Sequence, residues 1–177
     1  MRTPSAKVRS HATVSAYVLS PVSLPPFQQL LDAYGPDIGR FLRASVGPVD
    51  ADDCYQETWV AALRAYPKLR DASNLRSWIF TVAHRKVIDH VRARRRSPMP
   101  VGAVPDTPAT TGLPAEPDNG LWGHVRALPD KQRTALALRY VADAGYDEIS
   151  AVMGTSEAAA RRNVHEALKK LRTEYDR

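Results

Sequence analysis

A proline-rich segment divides this sequence in two, and it restricts the possible folds more than any other feature. Residues 97–120 contain six prolines, three glycines and three acidic residues, with no lysine or arginine. Proline and glycine at this density oppose a packed helix or strand, so we interpret the segment as an acidic linker. We therefore expect two small folded domains, at 27–96 and 121–177. Residues 1–26 mix serine, proline and scattered cations, and we interpret them as a flexible leader.

Apolar residues recur at helical spacing through the first of these parts and predict an all-helical domain. The run starts at Phe27, and the Gly-Pro pair at 35–36 predicts a break between two helices. A second Gly-Pro pair, at 47–48, ends the next helix, and Asp50 is a candidate cap for a third. The predicted buried stripe of that third helix is Cys54 or Tyr55, Trp59, Leu63 and Tyr66, with Asp53, Gln56 and Glu57 on another side.

The segment 73–96 predicts a long helix whose two ends differ in chemistry. It has no proline or glycine across 24 residues, and Ser73 or Asn74 suits its N-cap. Its first turns carry apolar residues at helical spacing, whereas 92–96 holds four arginines in five residues. Fixed positive charge beside an aromatic-containing face suits a polyanion with stackable bases. We expect this helix to contact DNA.

The pattern after the linker predicts a helix-turn-helix. Residues 128–130 are typical of a helix start, 143–145 of a break, and 154–156 form a three-residue turn that contains glycine. In the helix that follows, Arg161, Arg162 and His165 lie off the apolar face and near the N-terminal half. A recognition helix presents side chains to base edges at that place, while Lys169, Lys170 and Arg172 further along suit phosphates.

Composition and charge exclude several classes of protein. The net charge of +6 and the pI near 9.7 fit a nucleic-acid or anionic-membrane partner, and no apolar run approaches a membrane span. A single cysteine, Cys54, excludes an intramolecular disulfide and fits a reducing compartment. The five histidines form no zinc-ligand pair four residues apart, and no glycine loop suits a phosphate. We therefore expect a cytoplasmic protein that is not an enzyme, with no catalytic residue, cofactor, metal or membrane insertion.

Two sets of motifs resemble those of the extracytoplasmic-function sigma factors, the small initiation subunits of bacterial RNA polymerase within the sigma-70 family. The first set, similar to the family's second conserved region, is Asp50-Ala-Asp-Asp-Cys-Tyr-Gln-Glu-Thr-Trp-Val-Ala-Ala-Leu63, Leu75-Arg-Ser-Trp78 and Ala83-His-Arg-Lys-Val-Ile-Asp89. The second set, similar to its fourth region, is Leu128-Pro-Asp-Lys-Gln-Arg133, Leu138-Arg-Tyr-Val141, Tyr146-Asp-Glu-Ile149 and His165-Glu-Ala-Leu-Lys-Lys-Leu-Arg172.

This resemblance implies a function and its partners. The first domain is expected to bind the clamp helices of the polymerase's largest subunit and to read and melt the −10 promoter element. The second is expected to bind the flap tip of the other large subunit and to read the −35 element. An anti-sigma factor is a further implied partner, and the holoenzyme is expected at the nucleoid.

The resemblance also implies the contact residues. The implied core-polymerase contacts are Asp53, Gln56 and Glu57. The implied −10 DNA contacts are Asn74, Arg76, Trp78, His84, Arg85, Arg92, Arg94, Arg95 and Arg96. The implied −35 DNA contacts are Ser156, Arg161, Arg162, His165 and Lys169.

Several alternatives stay open from the residues alone. The acidic residues at 53–57 also fit a solvated helix face, and Trp78 fits a packed core better than base stacking. Arg85 and Glu166 depart from residues common in the family, as does 158–160, and all lie in or beside the reading helices. A stand-alone helix-turn-helix regulator, which would bind a palindrome as a dimer, is the alternative function.

Overall fold

The computed structural model describes residues 24–96 and 120–175, and all regular structure within them is helical. The elements are α1 (Phe27–Val46), α2 (Pro48–Ala65), a single 3-10 turn (Tyr66–Lys68), α3 (Leu75–Arg96), α4 (Leu121–Ala127), α5 (Asp130–Tyr140), α6 (Tyr146–Met153) and α7 (Glu157–Tyr175). The all-α prediction is confirmed. The predicted leader up to residue 23, and the linker apart from Gly120, lie outside the described residues. We call 24–96 the N-terminal half and 120–175 the C-terminal half.

Helix α1 is continuous, so the predicted break at Gly35-Pro36 is wrong. Proline lacks the N–H that would bond to the carbonyl four residues earlier, which weakens a helix at that point. Packing on both sides offsets this loss, because Leu30 before the proline and Phe41 after it are buried in the same core. A Cβ on Gly35 would lie 3.0 Å from the Tyr55 hydroxyl oxygen, so the glycine permits the close approach of α1 and α2.

Helix α2 starts two residues before the predicted cap, and the predicted buried stripe is confirmed at Cys54, Trp59 and Tyr66 but not at Leu63. Pro48 occupies its first turn, where a missing N–H has no consequence, and Asp50 lies in that turn instead of capping it. Leu63 is 55% exposed, so its predicted burial is wrong. The reason is that the small side chain of Ala62, one position before Leu63, lets α2 pack closely against α1 and α3. The buried residues of α2 are Ala51, Cys54, Thr58, Trp59 and Ala62.

Aromatic packing holds the N-terminal half together. The rings of Phe41 in α1 and Phe80 in α3 meet edge to face with centroids 5.6 Å apart, and both are almost fully buried. A second cluster joins Phe27 to Tyr66 at 5.3 Å, and the Tyr66 hydroxyl donates a hydrogen bond of 2.6 Å to the Pro25 carbonyl. Helix α3 therefore lies in a fixed place against α1 and α2.

The predicted ends of the two helices that are expected to contact DNA are confirmed. Asn74 caps α3, since its side-chain oxygen accepts a hydrogen bond of 2.9 Å from the Ser77 amide. Gly154 ends α6 in the left-handed conformation, at φ 61°, which glycine adopts readily. Ser156 then caps α7 by accepting a hydrogen bond of 3.2 Å from the Ala159 amide. The helix-turn-helix of α6 and α7 is thus present, and it packs against α5.

The two halves are in contact. Helix α6 packs against α3, while α4 and α5 pack against α1, and one apolar cluster continues across the boundary. Between the halves Arg76 of α3 pairs with Glu148 of α6, and Arg95 of α3 pairs with Asp130 of α5. Residues predicted to bind DNA therefore lie at this junction.

We expect Phe41→Ala to lower the free energy of unfolding by about 3–5 kcal/mol, because it removes a fully buried ring and leaves a cavity. Urea denaturation followed by circular dichroism measures this change. Val49→Ala is the control, since Val49 is 70% exposed and its truncation should change stability by less than about 0.5 kcal/mol. Equal effects of the two substitutions would contradict the position of Phe41 in the core.

Candidate nucleic-acid interface

The last five residues of α3 present a dense group of exposed arginines, which we call the cationic end of α3. Its members are Arg92, Arg94, Arg95 and Arg96. Asp50 of α2 moderates the charge here: its Oδ2 lies 3.1 Å from Arg94 Nη1 and 3.4 Å from His90 Nε2. Ion pairs between exposed side chains are weak, so this carboxylate leaves Arg94 available to a phosphate. The arrangement suits contact with a nucleic-acid backbone.

The first turns of α3 are less open than their predicted role requires. The Arg76 guanidinium pairs with Glu148, donates to the Ala142 carbonyl, and lies 5.1 Å from the centroid of the Phe80 ring. Trp78 is half-buried, with its ring 6.0 Å from that of Tyr66. These contacts hold both side chains against protein. Of the predicted −10 residues, only Asn74, Arg85 and the four members of the cationic end are exposed.

His84 lies inside the fold. Its side chain is buried, and burial lowers its pKa from 6.5 to about 4 because an imidazolium would lose its hydration. The imidazole is therefore neutral at pH 7. Its Nδ1 atom has no hydrogen-bond partner among the described residues. In this arrangement His84 does not reach a ligand in solvent.

Helix α7 presents the second cationic group, which we call the recognition surface of α7. It consists of Ser156 at the cap with Arg161, Arg162, His165 and Lys169, all of them exposed. The opposite face packs inward through Ala160, Val164 and Ala167. Arg161 pairs with Glu157 at 3.0 Å, and its guanidinium lies 4.9 Å from the centroid of the Tyr146 ring in α6. The predicted −35 residues therefore lie together on one accessible helix.

Helix α2 carries the third predicted site, which we call the acidic face of α2. Its residues Asp53, Gln56 and Glu57 are exposed, and a Glu57 oxygen lies 3.3 Å from the Lys86 ammonium of α3. Val60 and Leu63 continue the helix and are 48% and 55% exposed. Sequence reasoning missed these two apolar residues at the site. The spacing of three residues from Glu57 to Val60 could have predicted it, because residues three apart in a helix are neighbours on its surface.

Cys54 is buried beneath this face. Burial raises the pKa of its thiol to about 11, and the nearby carboxylates of Glu57, Asp50 and Asp53 act in the same direction. The thiol is therefore protonated and unreactive at neutral pH.

Within residues 24–96 and 120–175 no group of three metal-binding side chains occurs. None of the helices there has the length and apolar character that crossing a membrane demands.

Comparison with known protein families agrees with the geometry of both halves. The model of Sigma-70 region 2 matches residues 30–97, and that of Sigma-70 region 4 matches residues 125–171. The sigma factor SigD of Mycobacterium tuberculosis is 30% identical, over 83% of this chain and 76% of its own. SigM of Bacillus subtilis is also 30% identical, over 84% of this chain and 94% of its own. The chain belongs to the extracytoplasmic-function sigma factors of the sigma-70 family. The predicted family is thus confirmed.

Solved structures of sigma factors share the fold. The sigma factor RpoE of Bartonella quintana, crystallised with the anti-sigma factor NepR, matches 83% of this chain and 94% of its own with a TM-score of 0.67 and 22% identity. CnrH, in complex with the cytosolic domain of CnrY, matches 85% of this chain and 87% of its own with a TM-score of 0.64 and 23% identity.

The family defines what this sigma factor does at the level of the whole chain. It acts with RNA polymerase in promoter-specific initiation of transcription, and its two family regions coincide with the two halves that carry the cationic surfaces. The stand-alone dimeric regulator is not favoured. No residue of the three predicted sites is assigned by the family match itself, so those roles stay predictions.

We expect the pH dependence of stability to depend on His84. Its pKa is about 4 when folded and 6.5 as a model value, so the unfolded chain binds more protons between these values. Stability contributed by the neutral imidazole is complete above pH 6.5 and falls as pH drops, by about 2 kcal/mol from pH 7 to pH 5.

His84→Gln should remove this part of the pH dependence, which urea unfolding at pH 7 and pH 5 measures. The control is His165→Gln, because His165 is exposed. If His84→Gln loses as much stability between pH 7 and pH 5 as the parent protein, the buried neutral state is refuted.

Proposed function

We propose that this sigma factor divides promoter recognition between its two halves. A leader (1–26) precedes a region 2 domain (27–96), which binds core polymerase and the −10 element. A linker (97–120) connects it to a region 4 domain (121–177), which binds the −35 element and the flap. The observation that carries this proposal is the exposure of all five predicted −35 residues on a helix whose other face is buried.

The recognition surface of α7 fits the major groove. An arginine that makes two hydrogen bonds to guanine discriminates between bases by roughly 1–3 kcal/mol. Arg161 suits this role, since Glu157 and the Tyr146 ring hold its guanidinium before DNA arrives. Such preorganisation reduces the conformational entropy that the side chain loses on binding. Lys169 lies two turns further along and suits a backbone phosphate.

The N-terminal half is proposed to bind the −10 element along α3. The cationic end supplies phosphate contacts, and Arg85 lies exposed on the same helix. Trp78 and Arg76 would supply the contacts to unpaired bases, for which an aromatic ring and a guanidinium plane are both suited. These two side chains are partly covered by protein, so the proposal requires that the cover be removed.

The acidic face of α2 is proposed to bind the clamp helices of core polymerase. Its carboxylates offer charge complementarity to a basic helical partner, which guides association and orientation. Val60 and Leu63 beside them offer apolar area, and such area contributes most of the affinity at a buried interface centre. Neither feature is needed for folding, because both lie on the solvent side of α2.

The other partners and the location follow from this role. RpoE, which shares the fold, was crystallised with the anti-sigma factor NepR, and we propose that an anti-sigma factor also regulates this chain. We propose that it works in the cytoplasm, at the nucleoid when bound to polymerase, where promoter DNA is found. The chemistry of transcription belongs to core polymerase, so the proposed role involves no catalysis, cofactor or metal in this chain.

In vitro transcription with core polymerase tests the proposal. We expect the parent protein to direct initiation at specific start sites. Asp53→Lys with Glu57→Lys should abolish core binding and transcription, because two repulsive charges replace two attractive ones, while helicity stays unchanged. The control is Asp32→Lys with Asp37→Lys, which makes the same charge change on α1. Retained core affinity in the first variant would remove the assignment of the acidic face of α2.

We expect Arg161→Ala to relax the base preference at one position of the −35 element, with a loss of discrimination of roughly 1–3 kcal/mol. Transcription from a promoter library read by sequencing measures this preference. Lys170→Ala is the control, since this exposed residue lies further along α7 and should weaken binding equally across all sequences. A uniform loss with Arg161→Ala would mean that Arg161 contacts only phosphate.

A further inference from the structure

A cavity of about 280 Å³ lies where α1 and α3 meet α4 and α5, and arginine dominates its lining. Four arginines line it, against the single carboxylate of Asp130. Asp50, outside the lining, pairs with one of the four at 3.1 Å. With histidine counted as neutral, the cavity therefore keeps an excess of two positive charges. The four are Arg94, Arg95, Arg126 and Arg133.

Ser45 of α1 brings a buried hydroxyl to the same cavity. Its side chain is 1% exposed, and its Oγ atom has no hydrogen-bond partner among the described residues. A serine or threonine inside a helix commonly donates to the carbonyl four residues earlier. Thr58 and Thr81 of this chain do so, at 2.7 and 2.8 Å. The unpaired hydroxyl of Ser45 is therefore an exception that points to a ligand in the cavity.

The Arg133 side chain brings a second buried donor. It is 12% exposed, and its terminal nitrogens are engaged: Nη1 donates to the Arg126 carbonyl at 2.6 Å, and Nη2 pairs with Asp130 at 2.9 Å. Its Nε atom is buried and has no partner within the described residues. Buried polar atoms in proteins are nearly always paired, so two unpaired donors lining one cavity call for an acceptor.

Packing fixes the walls of the cavity. One apolar cluster runs through α1, α3 and α5, and Leu42, Val87 and Leu138 are among its buried members. The unpaired donors therefore belong to side chains that folding has already ordered. Such order lowers the conformational entropy that a ligand must offset.

We propose that this cavity binds a dianionic phosphate group, either inorganic phosphate or the phosphate monoester of a small metabolite. A phosphate monoester carries about −1.5 to −2 charges at pH 7, which matches the excess of two positive charges. Its oxygens accept hydrogen bonds from a hydroxyl and from guanidinium groups, to which they bind strongly. Ligand pockets usually have volumes of about 300–1,000 Å³, so this cavity suits a small ligand and is too small for a DNA duplex.

The site differs from the proposed DNA contacts. Ser45, Arg126 and Arg133 belong to none of the three predicted sites, whereas Arg94 and Arg95 also belong to the cationic end of α3. A bound phosphate should therefore compete with DNA for these two side chains. This consequence rests on the proposed role of the cationic end, but the site itself does not.

The test uses the full chain and two variants of the cavity. Ser45→Ala removes the unpaired hydroxyl with little change of volume, and Arg126→Gln removes one positive charge. The control for the second variant is Arg64→Gln, which makes the same charge change at an exposed position of α2 outside the cavity lining. Isothermal titration calorimetry measures binding of sodium phosphate and of glycerol 3-phosphate at constant ionic strength, with sodium chloride as the blank.

We expect the parent protein and Arg64→Gln to bind phosphate equally. Ser45→Ala should weaken binding about tenfold, because it removes a hydrogen bond to a charged group. Arg126→Gln should weaken it several-fold. Tighter binding of glycerol 3-phosphate would identify the occupant as a phosphate monoester, and tighter binding of phosphate would identify it as the free ion. Either result supports the site.

Urea unfolding without phosphate completes the test. Ser45→Ala should leave the unfolding midpoint unchanged or raise it, since the hydroxyl has no partner to lose. A lower midpoint with unchanged phosphate affinity would show that the hydroxyl serves only the fold, and would overturn the proposal. So would heat no larger than the chloride blank, or an equal affinity of the parent and both cavity variants. Neither polymerase nor promoter enters these measurements, so failure of the proposed function would leave their outcome unchanged.

Discussion

The edge-to-face packing of Phe80 against Phe41 fixes the helix on which the rest of this protein depends. Helix α3 is held by α1 and α2 through this pair, and its last turn carries the arginines of the cationic end. An arginine cluster on a mobile segment would lose conformational entropy on binding DNA. For a cluster at the end of a packed helix, the backbone has already lost this entropy on folding. If the cationic end binds DNA as proposed, the aromatic core contributes to that affinity by fixing the helix backbone that carries the arginines.

Charge is distributed so that each cationic surface has a carboxylate beside it. Asp50 lies by Arg94, Glu157 by Arg161, and Glu148 by Arg76. Each of the first two pairs joins residues of the same half. Exposed pairs of this kind orient a side chain but contribute little to the free energy of folding. The third joins the two halves and is partly buried. The same pairing chemistry thus orients an arginine within its own half in two places and links an arginine to the opposite half in the third.

Local sequence signals predicted the features that depend on neighbouring residues. The cap at Asn74, the turn at Gly154 and the exposed face of α7 follow from spacing and side-chain type, and the structure agrees. Features that depend on distant segments could not be read in this way. Helix α1 continues through Pro36 because residues on both sides enter one core, and the exposure of Leu63 reflects which face of α2 its neighbours select.

The predicted sites also divide into features that depend on neighbouring residues and features that depend on distant segments. The acidic face of α2 and the recognition surface of α7 were accessible to periodicity alone, because each lies on one amphipathic helix. The burial of His84 and the engagement of Arg76 were not, because both depend on tertiary packing. The partners of Arg76, Glu148 and Ala142, are 72 and 66 positions away in the chain. Helix α6 also has an evolutionary consequence. Tyr146 steadies Arg161 and, two residues later, Glu148 restrains Arg76. On the proposed DNA-binding roles of these two arginines, a mutation in this one short helix would alter recognition of both promoter elements together, so the two specificities would evolve jointly.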